Sequence, residues 1–173
     1  MQLSQNQIAV LSLANDCCTA MINAPASSLY EFVGSMTVIL PQLYSAMLEE
    51  VDSGNVSEFY SFSSHYVDED YYNSIRLGLE TLFGEYDSYL ETFEEDMKYS
   101  DTPIAASVAE SLADIFQPLF NFTEAVRESE GASFADAFGE CADAFQNYWS
   151  QTLCNVLRPL NQLRLNPEIQ NIQ

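Results

Sequence analysis

The sequence predicts an all-α protein: one antiparallel bundle of five or six helices, several of them kinked at proline. Three observations support this prediction. Nearly every apolar stretch repeats at helical spacing, and no stretch longer than a few residues alternates as a half-buried strand does. The hydrophobic share is 47%, with 11 Phe and 10 Tyr, which supplies enough apolar surface for a core. The helical segments together cover roughly two-thirds of the chain, about twice the usual share.

The first half of the chain predicts two helices. Residues 5–22 carry one apolar stripe and form the first helix. The second covers residues 28–51 and has the cleanest 3.6-residue pattern in the sequence. It begins with Ser28, followed three residues later by Glu31, the spacing of a capping box. Pro41 lies inside its stripe and removes a backbone donor, so we expect a kink or a short break just before it.

The middle of the chain is more irregular. Residues 55–66 are rich in serine and aromatic side chains with weak periodicity, which favours an irregular connection. A third helix is expected after the acidic cluster at residues 68–70, whose negative charge suits a helix N-terminus, and Gly84 fits its C-cap. A short fourth helix is expected over residues 87–98.

Two long helices complete the predicted bundle. An Asp-Thr-Pro start predicts one helix over residues 101–131, bent at Pro118. Ser133 is the expected cap of the last helix, which reaches about residue 164 and bends at Pro159. We assign residues 1–166 to a single helical domain and residues 167–173 to a frayed C-terminal tail.

Charge excludes several classes of function. The chain has 5 Lys+Arg against 26 Asp+Glu, a formal net charge of -21. Phosphate binding needs clustered basic residues, whereas these five are scattered, so we expect no nucleic-acid partner. The longest apolar run, residues 36–40, is far shorter than a membrane span, and the start carries no basic signal region. The four cysteines form no C-x-x-C pair and fit small buried residues in a reducing compartment, so we expect a cytoplasmic protein without a membrane partner.

The residues that metal sites and catalytic sites usually require are mostly missing from the sequence. A carboxylate-bridged metal centre needs Glu-x-x-His motifs, and the single histidine, His65, has no glutamate three residues before it. Two acidic triplets could hold Mg²⁺ or Ca²⁺, although neither has EF-hand spacing: Asp68, Glu69, Asp70 and Glu94, Glu95, Asp96. We keep Glu94 and Asp96 as weak metal candidates and expect no cofactor. Glu110 and Asp114 lie one helical turn apart. This spacing fits a catalytic acid/base pair, and it fits a solvent-facing pair as well.

One polar cluster is expected between the last two helices. Its members are Asp114, Trp149, Gln151 and Arg158. Because basic residues are scarce, Arg158 should pair with a carboxylate, and Asp114 on the preceding antiparallel helix is the candidate. We interpret this cluster as structural, because breaking a buried ion pair leaves an uncompensated charge.

Several short motifs, densest over residues 84–117, are shared with one bacterial family. They are Gly84-Glu85-Tyr86-Asp87 with Tyr89-Leu90, residues 95–104, residues 112–117, and Tyr148-Trp149 with Gln151 and Leu157-Arg158. Together they resemble the family called domain of unknown function 5063. Its members are small and helical without an established activity, so the resemblance implies a fold and no catalytic residues. The chain departs from that pattern at Pro118, Ser150, Pro159 and Asn161, where an acidic residue, glycine, alanine and histidine are expected.

The leading functional hypothesis is a non-catalytic module that binds a basic protein or pairs with itself. Strong acidity favours a basic partner, and the many tyrosines suit an interface. An alternative is an enzyme or sensor that holds a divalent cation on a carboxylate cluster. A weaker alternative is an acidic mimic of nucleic acid.

Overall fold

The computed structural model describes residues 3–54, 56, 61, 65–91 and 104–171. These ranges are mostly helical and contain six α-helices and one two-stranded sheet. The helices are α1 (Gln5–Ile22), α2 (Leu29–Asp52), α3 (Glu69–Phe83), α4 (Val108–Glu128), α5 (Phe134–Ala144) and α6 (Ser150–Arg164); the strands are β1 (Ser88–Glu91) and β2 (Ile104–Ser107). A π-helical turn, Phe145–Trp149, joins α5 to α6. No helix in the described ranges is long and apolar enough to cross a membrane.

The helix ends follow from the capping side chains. Ser28 Oγ accepts the Glu31 amide at 3.3 Å and donates to the Glu31 carboxylate at 2.9 Å, in place of the expected return bond to the Ser28 amide. The acidic cluster before α3 forms its cap and first turn, because the Asp68 carboxylate accepts the Tyr71 amide at 2.8 Å. Gly84 ends α3 with a φ of 52°, as expected of a glycine C-cap.

The expected all-α fold omits a small two-stranded sheet that the structure contains. Residues 88–91, expected in a short helix, form β1 and pair antiparallel with β2, with Tyr89 opposite Ala106. Strands of four residues are too short for alternation to reveal, and Tyr89 is the only buried residue of the pair. The remainder of that expected helix and the expected Asp-Thr-Pro start lie outside the described residues. Helix α4 begins only after β2.

The prolines lie inside continuous helices. Helix α2 runs unbroken past Pro41, so the expected short break is absent there, and α4 and α6 likewise include Pro118 and Pro159. A proline cannot donate to the carbonyl four residues before it. The carbonyls that lose their helical donor in this way belong to Thr37, Asp114 and Asn155.

One hydrophobic cluster draws side chains from all six helices. Aromatic rings dominate the part between α4 and α5, where Phe122 meets Phe134 edge-on with centroids 5.6 Å apart. Ile169, in a short turn after α6, is completely buried in the same cluster. A frayed tail is expected after residue 166, whereas the side chain of Ile169 is covered by the core.

Candidate functional site

The antiparallel pair of β1 and β2, which we call the hairpin, is held by hydrogen bonds at the N-terminus of α4. The Val108 amide donates to the Asp87 carbonyl at 2.8 Å, and the Ala109 amide donates to the Asp87 carboxylate at 2.8 Å. Ser107 Oγ accepts the Glu110 amide at 3.0 Å. These bonds satisfy amides that a helix start leaves without partners. They hold β1 and β2 beside the first turns of α4.

Asp114 lies on α4, about two turns after that start, and interacts with two tyrosines. The Tyr72 hydroxyl donates to Asp114 Oδ1 at 2.7 Å. Partial burial, and then hydrogen bonding to the Asp114 carboxylate, raise the pKa of both Tyr72 and Tyr148 well above the ordinary tyrosine value. Both phenols therefore stay protonated and can donate. Among the described residues, no lysine or arginine forms an ion pair with Asp114.

The π-helical turn places Tyr148 and Trp149 in different environments. Tyr148 is 49% exposed and lies near Asp114, whereas Trp149 is completely buried against Phe145, with ring centroids 4.6 Å apart. The Trp149 Nε1 donates to the Cys141 carbonyl at 3.2 Å. π-Helical turns occur frequently at functional sites, and this one forms part of the walls of two adjacent cavities.

The larger cavity, which we call the polar cleft, lies between the hairpin, α4 and α6. Its volume is about 530 Å³. Its lining residues are Tyr89, Glu91, Ala106, Ser107, Glu110, Ser111, Asp114, Asn147, Tyr148, Gln151, Thr152 and Asn155. Three carboxylates and no lysine or arginine stand among these lining residues. The cleft is therefore anionic, and its hydroxyl and amide groups can form further hydrogen bonds.

The smaller cavity, which we call the inner pocket, lies between α4 and α5. Its volume is about 220 Å³. Its lining residues are His65, Asp114, Gln117, Pro118, Asn121, Phe122, Ala137, Glu140, Cys141, Ala144 and Tyr148. Asp114 and Tyr148 line both cavities. These two side chains therefore form the wall that the cavities share.

The structure separates the four residues expected to form one polar cluster. Asp114 and Gln151 both line the polar cleft, while Trp149 belongs to the core. The Arg158 guanidinium donates to the Leu90 carbonyl and lies over the Tyr89 ring, 5.9 Å from its centroid. The expected ion pair between Arg158 and Asp114 is not formed, because Arg158 extends to the hairpin and Asp114 accepts tyrosine hydroxyls.

A third cavity lies on the other side of α6. We call it the arginine groove, and its volume is about 430 Å³. Its lining residues are Thr37, Pro41, Cys154, Leu157, Arg158, Asn161 and Arg164. No carboxylate stands among them. Two of the five cations of the chain thus lie together between α2 and α6.

The expected metal ligands are not assembled where the structure describes them. Glu94 and Asp96 lie outside the described residues. Asp68 serves as a helix cap, and the described part of the chain contains no group of three or more His, Cys, Asp or Glu side chains that could hold a metal ion.

The cysteines are unpaired thiols, three of them buried: Cys17, Cys18, Cys141 and the exposed Cys154. Burial raises the pKa of Cys17 and of Cys141 to about 12, so these thiols are inert at neutral pH.

Sequence reasoning missed the tyrosines that define the site. Tyr72 falls in the expected third helix and Tyr148 in a family motif, and nothing local marks them as partners of Asp114. Tyr89 fell in a segment expected to be helical. The weak available signal was the abundance of tyrosines, 10 in the chain.

Comparison with known proteins assigns the family. The model of the domain of unknown function called DUF5063 matches residues 1–166, essentially the whole chain. The chain belongs to this family. The crystal structure of protein BF1032 from Bacteroides fragilis is similar to this DUF5063 protein, with a TM-score of 0.79, 26% sequence identity and 95% of each chain covered. No curated protein matches the chain. Neither the family description nor the name of the structural neighbour states an activity, so no catalytic or other specific function follows from them.

Proposed function

We propose that this DUF5063 protein is a non-catalytic module that binds a basic protein partner in the polar cleft. The observation that carries the proposal is the charge of the cleft. Glu91, Glu110 and Asp114 line it, and no lysine or arginine stands among its described lining residues. The tyrosine rings and side-chain amides of the same cleft suit a peptide, because they offer cation–π contacts and hydrogen bonds.

Net charge supports the same class of partner. A formal charge of -21 attracts basic proteins over long range and speeds their association at low salt. Long-range attraction carries little specificity. The part-buried carboxylate of Asp114 and the exposed one of Glu110 supply local contacts that a correctly placed arginine or lysine would satisfy.

The decisive experiment separates the cleft from the overall charge. The probe is a ten-residue synthetic peptide with four arginines and no acidic residue, and its affinity is measured by calorimetry near physiological salt. The variant E110Q/D114N and the control D16N/E49Q both change the net charge from -21 to -19, because each neutralises two carboxylates. Asp16 and Glu49 are exposed on α1 and α2, away from the cleft.

We expect the cleft variant to lose about tenfold or more in affinity and the control to lose less than about twofold. Equal losses in the two variants would show that net charge alone attracts the peptide. That result would contradict the proposal.

A second copy of the chain is the other partner that we propose to test. Leu90 is 54% exposed on the hairpin, as a contact residue between copies could be. Two molecules of charge -21 repel each other, and added salt screens that repulsion. Sedimentation at low and high salt should then show a dimer that grows with salt. A monomer under both conditions would exclude this partner.

We also propose that the helices form an antiparallel bundle and that the protein is cytoplasmic. Helices α4 and α5 pack against each other and are joined by the short connection at residues 129–133, which favours antiparallel neighbours. The free thiols favour a reducing compartment. An experimental structure and cell fractionation test these two points.

A further inference from the structure

The inner pocket has walls built from one stripe on each of two helices. Helix α4 contributes Asp114, Gln117, Pro118 and Asn121, and α5 contributes Ala137, Glu140, Cys141 and Ala144. Each set follows the i, i+3, i+4, i+7 spacing of a single helix face. The apolar side chains of Pro118, Phe122 and Ala137 line the pocket together with Gln117 and Glu140, and polar groups stand at both ends of the α4 stripe. The ends are about 10 Å apart, because seven residues separate Asp114 from Asn121 at about 1.5 Å rise per residue.

Asn121 supplies a donor at one end of the pocket. Its side chain is only 8% exposed, and its Oδ1 accepts the amides of Tyr66 at 2.8 Å and Val67 at 3.3 Å. These two bonds determine which end of the side-chain amide is oxygen, since a backbone amide can only donate. The Asn121 Nδ2 forms no hydrogen bond within the described residues. This nitrogen is not completely buried, so a ligand oxygen in the pocket can accept its hydrogen.

Asp114 supplies acceptors at the other end. Its carboxylate accepts hydroxyl hydrogens from tyrosines, which leaves lone pairs and the full negative charge available. Its backbone carbonyl lacks the usual helical donor, because residue 118 is proline. This end of the pocket therefore suits a ligand group that carries several hydrogens and a positive charge.

We propose that the inner pocket binds a small amphipathic amine. An ammonium group pairs with Asp114, an apolar chain lies along Pro118 and Phe122, and a carbonyl oxygen at the far end accepts from Asn121 Nδ2. A cavity of about 220 Å³ is smaller than most drug-sized sites, so it suits a ligand of about ten non-hydrogen atoms. This inference does not depend on the peptide site, although Asp114 and Tyr148 border both cavities.

The test uses 6-aminohexanamide, which has an ammonium group and a carboxamide separated by five methylenes. Hexylamine lacks the carboxamide, and hexanamide lacks the charge. We expect calorimetry to give a Kd of about 1 mM or tighter for 6-aminohexanamide, and at least about tenfold weaker binding for the other two. Nitrogen-resolved NMR should show the Asn121 side-chain amide shifting only with the carboxamide-containing amine.

Two variants and one control test whether the ligand binds in the inner pocket. A144L fills the pocket at a partly exposed position, and A135L adds the same side chain at an exposed position of α5 outside it. N121D keeps the oxygen that holds Tyr66 and Val67 but replaces the free donor with an acceptor. We expect A144L and N121D to lose at least about tenfold in affinity and A135L to match the unaltered protein.

Thermal unfolding establishes that each variant is folded before binding is measured. Absence of binding to the unaltered protein at several millimolar would overturn the proposal. Equal binding by A144L and A135L would overturn it as well. An arginine peptide that binds while 6-aminohexanamide does not would show that the pocket serves the peptide partner alone, and this too would overturn it.

Discussion

Helix α6 separates two surfaces of opposite charge. On the α4 side, the polar cleft is lined by Glu91, Glu110 and Asp114, whereas on the α2 side the arginine groove is lined by Arg158 and Arg164. The inner face of α6 is apolar and buried in the core. A net charge of -21 therefore does not describe every surface of this protein. Two of the five cations line the arginine groove, so the described linings of the two surfaces differ in the sign of their charge.

The largest effect is expected where the core beneath these surfaces is disrupted. Trp149→Ala removes a completely buried ring and its hydrogen bond to Cys141, so we expect the free energy of unfolding to fall by about 3–5 kcal/mol. Gln151→Ala, two residues further along and facing the polar cleft, should change it by less than about 0.5 kcal/mol. Urea unfolding measures both variants. Similar values for the two would show that Trp149 is not a core residue.

The second prediction concerns the pH dependence of the free energy of unfolding. It compares the buried thiols with the exposed thiol of the arginine groove. Cys17 and Cys141 have an ordinary pKa of 9.0 when unfolded and a pKa of about 12 in the fold. Between these values the unfolded chain binds fewer protons, so the free energy of unfolding is constant below pH 9 and falls as the pH rises toward 12.

Urea unfolding between pH 8 and pH 11 measures this slope. C17A/C141A should flatten it by up to about 1.4 kcal/mol per pH unit for each thiol, independently of the stability that the alanines remove. Cys154→Ala should leave the profile closer to that of the unaltered protein. An unchanged slope in the double variant would contradict the burial of these thiols.

A smaller loss of stability is expected for a substitution in the wall that the two cavities share. Tyr72→Phe removes the hydroxyl that donates to Asp114 at 2.7 Å, and we expect a loss of about 1 kcal/mol in the free energy of unfolding. Tyr30→Phe is the matched control, because Tyr30 is 44% exposed at the start of α2. Equal results for the two variants would show that the Asp114 contact does not stabilise the fold.

The smallest loss of stability is expected for substitutions of the two arginines of the groove, and it should differ between them. Arg158→Ala removes the hydrogen bond to Leu90 and the contact with the Tyr89 ring, so we expect a loss of about 0.5–1 kcal/mol. Arg164→Ala should be close to neutral, because the described residues give its guanidinium no hydrogen-bond or ion-pair partner. Thermal unfolding at low and high salt measures both. A larger loss for Arg164→Ala would reverse the roles assigned to them.

Long helices could be predicted closely, whereas the hairpin could not. Helix α1 matches its expected residues, and α2 ends one residue after its expected end, because each buries one continuous stripe that the spacing of apolar residues reveals. The pairing of Tyr89 with Ala106 depends on two segments separated in sequence. The last predicted helix was continuous, and the π-helical turn at Phe145–Trp149 divides it. Four or five residues carry too little periodicity to signal either feature.

The candidate site was predictable only in part. Asp114 and Gln151 could be singled out as polar residues of the last two predicted helices, and both line the polar cleft. Trp149 faces the core instead, because two residues along a helix turn the side chain by about 200°. One partner of Asp114 is Tyr72, which is 42 residues earlier in the chain.

By itself, the amino-acid sequence determined that this chain is largely helical, strongly anionic and a DUF5063 protein, because composition, spacing and short motifs are properties of neighbouring residues. The tertiary structure decided which groups meet: Asp114 with Tyr72, Arg158 with Leu90, and Asn121 with the backbone before α3. Such pairs form across separate helices and loops whose relative positions are determined by packing of the whole core. The cavities form where these residues come into contact, so their location is a property of the folded chain.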